Sequence, residues 1–474
     1  MFCTMKYLGA FFFIIISLSV NAQEITLKKG IILDELKVND TFTESFSLYL
    51  PTSFKIDKAW PVLFVFDLKG KGKQALSMYT AAAEEHGYII AASNNIQDSL
   101  SIADNVLITN RMFNSVFSLL PIKKNRIYAS GYSEGGRFAT LVPAFIKGVT
   151  GVLSFSSTIA NEEILSARKP FYFISVVGKK DYLYSEMIRT KKVLNRLKFQ
   201  NQLIFHENGR EWPSVETMKE ALLYFDLAAM AKNAEKIDIS YIKRNYKDGI
   251  IKAGRLLAEN KPLYAENVLS QMLIAYRPLM AIDSIKYNLK NLKRSKLYRS
   301  SYNEESALLL KEDFIKGEYN YYLEEDVLTY NYNNLGWWKY QTEEISKFLN
   351  SPKVVHKQLG ARLKSYLEAL IEDNVDIVNA ATIIDEEALN FLYMLKTITS
   401  PSIYENYLKV ISYSSKIEDY GTALFYLEEL LATGYTNKEE LYKLEHTALF
   451  RISPEFNETV AKYLKEARYD VIEE

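Results

Sequence analysis

Ser133 stands in "RIYASGYSEGGRFATLV", residues 126–142, with Gly131 two places before it and Gly135 two places after. The apolar run ahead of it reads as a β-strand, and the segment behind it as the start of a helix. A serine on a tight strand-to-helix turn, between residues too small to collide with nearby backbone, is mounted to attack an acyl carbon. Such a hydroxyl is a weak nucleophile until a base accepts its proton. The chain has only four histidines, at positions 86, 206, 356 and 446.

The surrounding elements suit such a mount. Residues 24–232 alternate strand and helix signals. "PVLFVFD" (61–67) and "YIIAAS" (88–93) are short continuous apolar runs, as expected of strands buried on both faces. "KQALSMYTAAAEEHG" reads as one helix ending at Gly87, and "SIADNVLITNRMFNSVFSLLP" as another, stopped at Pro121. Strands "VTGVLSFSS", "PFYFISVVG" and "QNQLIFHENG" follow the serine, interleaved with helices. This alternation predicts a mainly parallel sheet with helices on both faces.

In this order "PVLFVFD", "GYIIAASNN", "GYSEGG", "VVGKKDYLYSEM" and "NGREWPSVETMKEAL" resemble the esterase-type α/β-hydrolases, relatives of dienelactone hydrolases and polyhydroxybutyrate depolymerases. The resemblance spans a little under half the chain and implies an α/β-hydrolase fold acting on carboxylic esters. The elbow makes Ser133 the nucleophile and aims the backbone N–H of Glu134 at the developing oxyanion. A second donor is expected in the turn after "VLFVFD", at Asp67 or Leu68. The resemblance puts the acidic triad member at Asp181, in chain order Ser, Asp, His, to orient the histidine.

Where those families carry a Gly-His-Glu-Trp-Pro-like turn, this chain has Gly209-Arg210-Glu211-Trp212-Pro213. A guanidinium is always charged and has no acceptor lone pair, so Arg210 cannot take a proton from Ser133. Two roles remain open for it: holding an anionic group of a ligand, with Trp212 beside it, or pairing inertly with Asp181. Of the histidines, only His206 is near in sequence. It lies four residues before Arg210, about 13 Å away in extended chain, and is read either as a substitute base or as a plain strand histidine. His86 is expected at a helix end on the surface; His356 and His446 belong to the helical region. Neither a cofactor nor a metal is called for by this chemistry.

Composition limits the partners. Lys plus Arg and Asp plus Glu both total 58, so nothing points to nucleic acid or an anionic membrane. The expected ligand is a small acyl ester or an acylated carbohydrate. The first 22 residues have Lys6, an apolar run from Tyr7 to Val20, and small residues at Val20 and Ala22, the pattern of an export signal cut before Gln23. The alternative is a retained anchor, but the run is short for a membrane span. Cys3 leaves with the signal, so the mature chain has no thiol. A periplasmic or secreted protein without a membrane span is expected.

From residue 233 to 474 nearly everything reads as helix. "YLKVISYSSKIEDYGTALFYLEELLATGY" resembles one tetratricopeptide unit, with Tyr420, Ala423, Leu427, Leu430 and Leu431 at packing positions and Ile411 departing from the pattern. A degenerate helical-repeat domain able to bind a protein partner and an irregular bundle both fit. The expected organisation is thus signal 1–22, hydrolase-like domain 23–232 and all-α domain 233–474. Trp337-Trp338 and the tyrosines before them suit either a ligand face or helix packing.

Overall fold

A computed structural model describes residues 27–163, 165, 170–465 and 467. The expected signal at 1–22, with Cys3, lies outside the described residues. Eight strands form one sheet: β1 (Ile32–Lys37), β2 (Ser45–Tyr49), β3 (Trp60–Phe66), β4 (Ile89–Ser93), β5 (Ile122–Tyr132), β6 (Val149–Phe155), β7 (Tyr172–Gly178) and β8 (Asn201–His206), in the order β1-β2-β4-β3-β5-β6-β7-β8. The β1–β2 and β2–β4 pairs are antiparallel and the rest are parallel. Helices accompany the sheet: α1 (Gly72–Ser77), α2 (Thr80–His86), α3 (Ile102–Leu119), α4 (Glu134–Phe145), α5 (Tyr184–Arg196) and α6 (Val215–Ala231). The single helix expected over 73–87 is two short ones, broken at Met78-Tyr79. Otherwise this is the α/β architecture anticipated, with an all-α region after it.

The continuous apolar strands are explained by two cores. Along β3, Leu63 and Val65 pack into one core with α1, α2 and α6, while Val62, Phe64 and Phe66 pack into the other with α3 and α4. Side chains alternate across a strand, so a strand covered on both faces must be apolar throughout.

The helical region comprises α7 (Ile239–Ala258), α8 (Pro262–Tyr276), α9 (Asp283–Arg294), α10 (Lys296–Thr329), α11 (Leu335–Leu349), α12 (Val354–Asn379), α13 (Glu386–Thr399), α14 (Tyr404–Lys416), α15 (Tyr420–Ala432), α16 (Lys438–Lys443), α17 (Ala448–Arg451) and α18 (Pro454–Leu464). Composition changes at 233, but the core does not stop there: Ile242, Leu256, Ala265, Leu269 and Ile285 share one cluster with Leu63, Tyr128 and Phe225 of the sheet layer. Two further cores hold α10–α13 and α13–α18. In α14–α15, Ala423, Leu427, Leu430 and Leu431 are buried, and so is Ile411. Helix lengths run from 34 residues in α10 to 4 in α17, which is not the uniformity of a regular repeat. Trp338 is fully buried and donates to Asp326 at 2.8 Å, and Trp337 packs on Tyr322, so this aromatic segment packs helices together.

Strand β8 is a sheet edge, and α8 covers it with amide side chains. Asn267 Oδ1 and Gln271 Oε1 accept from the N–H groups of Phe205 and Leu203, each at 3.2 Å, and Asn267 Nδ2 returns a bond to the Leu203 carbonyl at 2.8 Å. An edge strand with its polar groups occupied cannot pair with another chain.

His86 is not on the surface as expected. Its side chain is buried, with Nδ1 at 2.8 Å from Asp226, which also accepts from Tyr88 (2.9 Å) and Tyr241 (3.0 Å) and pairs with Arg126. Burial pushes the Asp226 carboxyl up, but the His86 hydrogen bond and the Arg126 charge outweigh it and hold the carboxyl below its ordinary value. Such a group stabilises the fold fully above the unfolded carboxyl value and loses that contribution as pH falls through the lower folded one. Asp226→Asn is expected to cost about 3 kcal/mol near pH 7 by leaving buried Arg126 with Glu235, at 2.8 Å, as its remaining carboxylate, measured as a lowered urea midpoint with an unchanged slope. The gap to the parent should close in strong acid.

Candidate active site

Register builds the site at the carboxyl ends of the parallel strands. Phe66 pairs with Gly131 across β3 and β5, so the Asp67–Leu68 turn lies beside Ser133 and Glu134. Tyr132 pairs with Phe155 across β5 and β6, and the Ser133 N–H donates to the Phe155 carbonyl at 2.9 Å. Gly178 pairs with His206 across β7 and β8, so the loops carrying Asp181 and Arg210 leave side by side.

Ser133 has φ +53° and ψ −124°, a backbone conformation that costs a non-glycine residue about 1–3 kcal/mol. Helix α4 starts at the next residue, so the Glu134 N–H, in its first turn, has no intrahelical acceptor. Leu68 N–H has none either among the described residues. Both donors expected for an oxyanion are therefore free. Gly135 allows the approach: a Cβ there would lie 2.1 Å from the Phe66 carbonyl oxygen.

Arg210 is the side chain that meets the serine. Its Nη2 donates to Ser133 Oγ at 2.6 Å and its Nη1 donates to the Ser156 carbonyl at 2.9 Å. Nη1 also faces Asp181 Oδ1 at 3.7 Å, and the Tyr182 ring lies 4.7 Å from the guanidinium carbon. The guanidinium thus touches the serine and faces Asp181, with both roles left open for it still compatible with this position. The loop before Arg210 is drawn over the end of β7 by Lys180 N–H donating to the Asn208 carbonyl at 3.1 Å. Gly178 permits this, since a Cβ there would meet that carbonyl oxygen at 2.1 Å.

Asp181 is fully buried. Its Oδ1 accepts from the Leu183 N–H at 2.9 Å, while Oδ2 is buried without a hydrogen-bond partner. His206, the candidate base, hydrogen-bonds neither Ser133 nor Asp181, and its Nδ1 is buried unpartnered. It ends an edge strand, and only the chain after it turns back toward the serine. Burial holds its imidazole below the ordinary histidine value, against the raising influence of Asp181 and Glu211. It is neutral at pH 7, but not joined to the hydroxyl.

Trp212 is partly buried; it stacks on Tyr132 at 4.9 Å and meets Tyr79 and Phe155 edgewise or tilted at 5.8 and 6.0 Å. These contacts pack the loop that carries Arg210 onto the core.

No protein-family model and no curated protein matches the chain. Solved structures similar to it include S-formylglutathione hydrolase FrmB of Staphylococcus aureus, at 12% identity and TM-score 0.35, covering 41% of this chain and 95% of that one. Thermogutta terrifontis esterase 2 is 12% identical with TM-score 0.35, covering 45% and 99%. Esterase B of Lactobacillus rhamnosis is 14% identical with TM-score 0.35, covering 43% and 89%. The chemistry of the present site is read from its own side chains.

The helical region reaches this site, which no local pattern announced. Lys316 of α10 donates to the Tyr182 carbonyl at 2.6 Å, and Arg362 of α12 donates to the Lys179 carbonyl at 2.7 Å, so the loop bearing Asp181 is clasped from outside. Farther along α12, burial together with Asp376 and Glu134 pushes the Asp373 carboxyl up. Ser156, whose carbonyl seats Arg210, was missed too; its φ of +49° at the end of β6 leaves no mark in the sequence.

Proposed function

We propose that this chain is a serine-hydrolase-like protein that binds an acyl ester or acylated carbohydrate at Ser133 without turning it over. The observation that carries this reading is the 2.6 Å hydrogen bond from Arg210 to Ser133 Oγ. A hydroxyl that accepts from a permanent cation has no base to lose its proton to. It keeps its own hydrogen as a donor, and with the N–H groups of Glu134 and Leu68 it presents three donors to a ligand carbonyl or carboxylate. Export rests on the pattern of residues 1–22, and a protein partner for the helical region rests on the tetratricopeptide-like unit at 407–435.

A second reading, turnover of carboxylic esters with His206 as base, is supported by the strained elbow and by a neutral imidazole within electrostatic reach of Asp181. It requires Arg210 to leave and β8 to shorten at its end. A fluorophosphonate probe separates the two, since it labels only an activated serine. The purified chain is expected to show no labelling above its Ser133→Ala variant from pH 6 to 9. Stoichiometric labelling of Ser133 would overturn the first reading and leave the second.

A further inference from the structure

A cavity of about 590 Å³ lies away from Ser133, between α5 and β8 of the sheet layer and α8 and α10 of the helical region. That volume falls in the range of about 300–1,000 Å³ typical of small-molecule sites. Its carboxylates are already matched: Glu305 by Lys179 at 2.6 Å, Asp313 by Arg189 at 2.8 Å and Glu266 by Lys293 at 2.9 Å. Lys191, which lines the cavity from α5, has no carboxylate partner or hydrogen-bond acceptor among the described residues. Burial, chiefly, pushes its ammonium below the ordinary lysine range, with Glu266 acting in the opposite sense.

Gln271 lines the same cavity and is fully buried. Its Oε1 is committed to the Leu203 N–H, which settles the orientation of the amide, and its Nε2 is then a buried donor with no acceptor. A buried amide N–H₂ and an unpaired ammonium on one cavity both call for an oxygen acceptor, and the ammonium calls for a negative one. The wall also offers apolar surface, from Ile188, Leu263 and Leu309 and from Tyr298 stacked on Tyr302 at 5.8 Å.

We propose that this cavity binds a small amphipathic carboxylate, its head on Lys191 and Gln271 and its aliphatic or aromatic body against Leu309 and the tyrosine pair. The site is independent of the reading given to Ser133. Octanoate is the probe, titrated calorimetrically into the full chain beside octylammonium. Octanoate is expected to bind saturably at one site and octylammonium not to bind. Lys191→Met should weaken octanoate about tenfold or more, because a charge-assisted hydrogen bond is lost, while Lys191→Arg stays within about threefold. Lys191→Met should also melt no lower than the parent, since an unpaired, largely buried cation is removed. Leu309→Trp, which fills the cavity without touching the charges, should abolish binding. Absence of saturable octanoate binding, equal binding of octylammonium, or binding unchanged in both Lys191→Met and Leu309→Trp overturns the proposal.

Discussion

Arg210→His is expected to turn an inert chain into an esterase. The reasons lie in what the site already holds. The Ser133 elbow keeps its strained φ of +53°, and the N–H groups of Glu134 and Leu68 are free to meet an oxyanion. Asp181 Oδ2 is buried and unpartnered, an acceptor ready for the Nδ1–H of an imidazole, which would set the tautomer and leave Nε2 to face the hydroxyl. Loop geometry brings the position-210 side chain to Ser133 Oγ, since the arginine reaches it at 2.6 Å. A positioned general base contributes about 10²–10⁴-fold to rate, so hydrolysis of p-nitrophenyl acetate should rise at least about a hundredfold over the parent. The rate should climb with pH through the imidazole pKa, near 6.5 before any effect of Asp181. Adding Ser133→Ala or Asp181→Asn should return it toward background. A folded Arg210→His variant with no turnover above the parent, and no fluorophosphonate labelling, would show that the site lacks more than its base.

The second large effect is on stability. Glu312 of α10 is fully buried between two cations: Arg362, bonded at 2.7 Å, and Lys316, at 3.0 Å. Those cations also hold the carbonyls of Lys179 and Tyr182, so Glu312, with Glu186 at 3.3 Å from Lys316, neutralises the clasp on the Asp181 loop. Glu312→Ala leaves buried Arg362 without a carboxylate partner among the described residues and Lys316 with Glu186 alone, a change that costs about 3–5 kcal/mol. Urea unfolding should record a loss of that size. Replacing Glu312 and Arg362 together by leucine and methionine should recover part of it, because the stranded charge goes as well. A Glu312→Ala variant within about 1 kcal/mol of the parent would mean that water reaches this cluster and screens it.

The loop that carries Asp181 is held by the helical region, and Arg210 lies between that loop and the serine. It donates to Ser133 Oγ and to the Ser156 carbonyl and faces Asp181 Oδ1 at 3.7 Å. The same guanidinium lies against Tyr182, so the loop held by α10 and α12 is also the loop that backs the arginine. Removing the cation alone should therefore loosen more than the serine.

What the amino-acid order determined alone was everything of short range. Apolar strands of five to seven residues, the glycines around Ser133 and the helix directly after it are consequences of local sterics and of side-chain period, and these need no knowledge of distant chain. That the residue at 210 cannot act as a base is likewise visible in the letters, because a guanidinium's lack of a lone pair is a property of the residue itself. Tertiary structure decided the rest. That Arg210 bonds Ser133, that Trp212 packs inward, that His86 is buried on Asp226 and that His206 stays apart all depend on how loops 70 or more residues apart meet at the strand ends. The change of composition at 233 marked where strands stop, not where the core stops, since amphipathic helices record that one face is buried but not what covers it. The clasp on Asp181 from α10 and α12 joins residues more than 130 positions apart, and only long-range packing could create it.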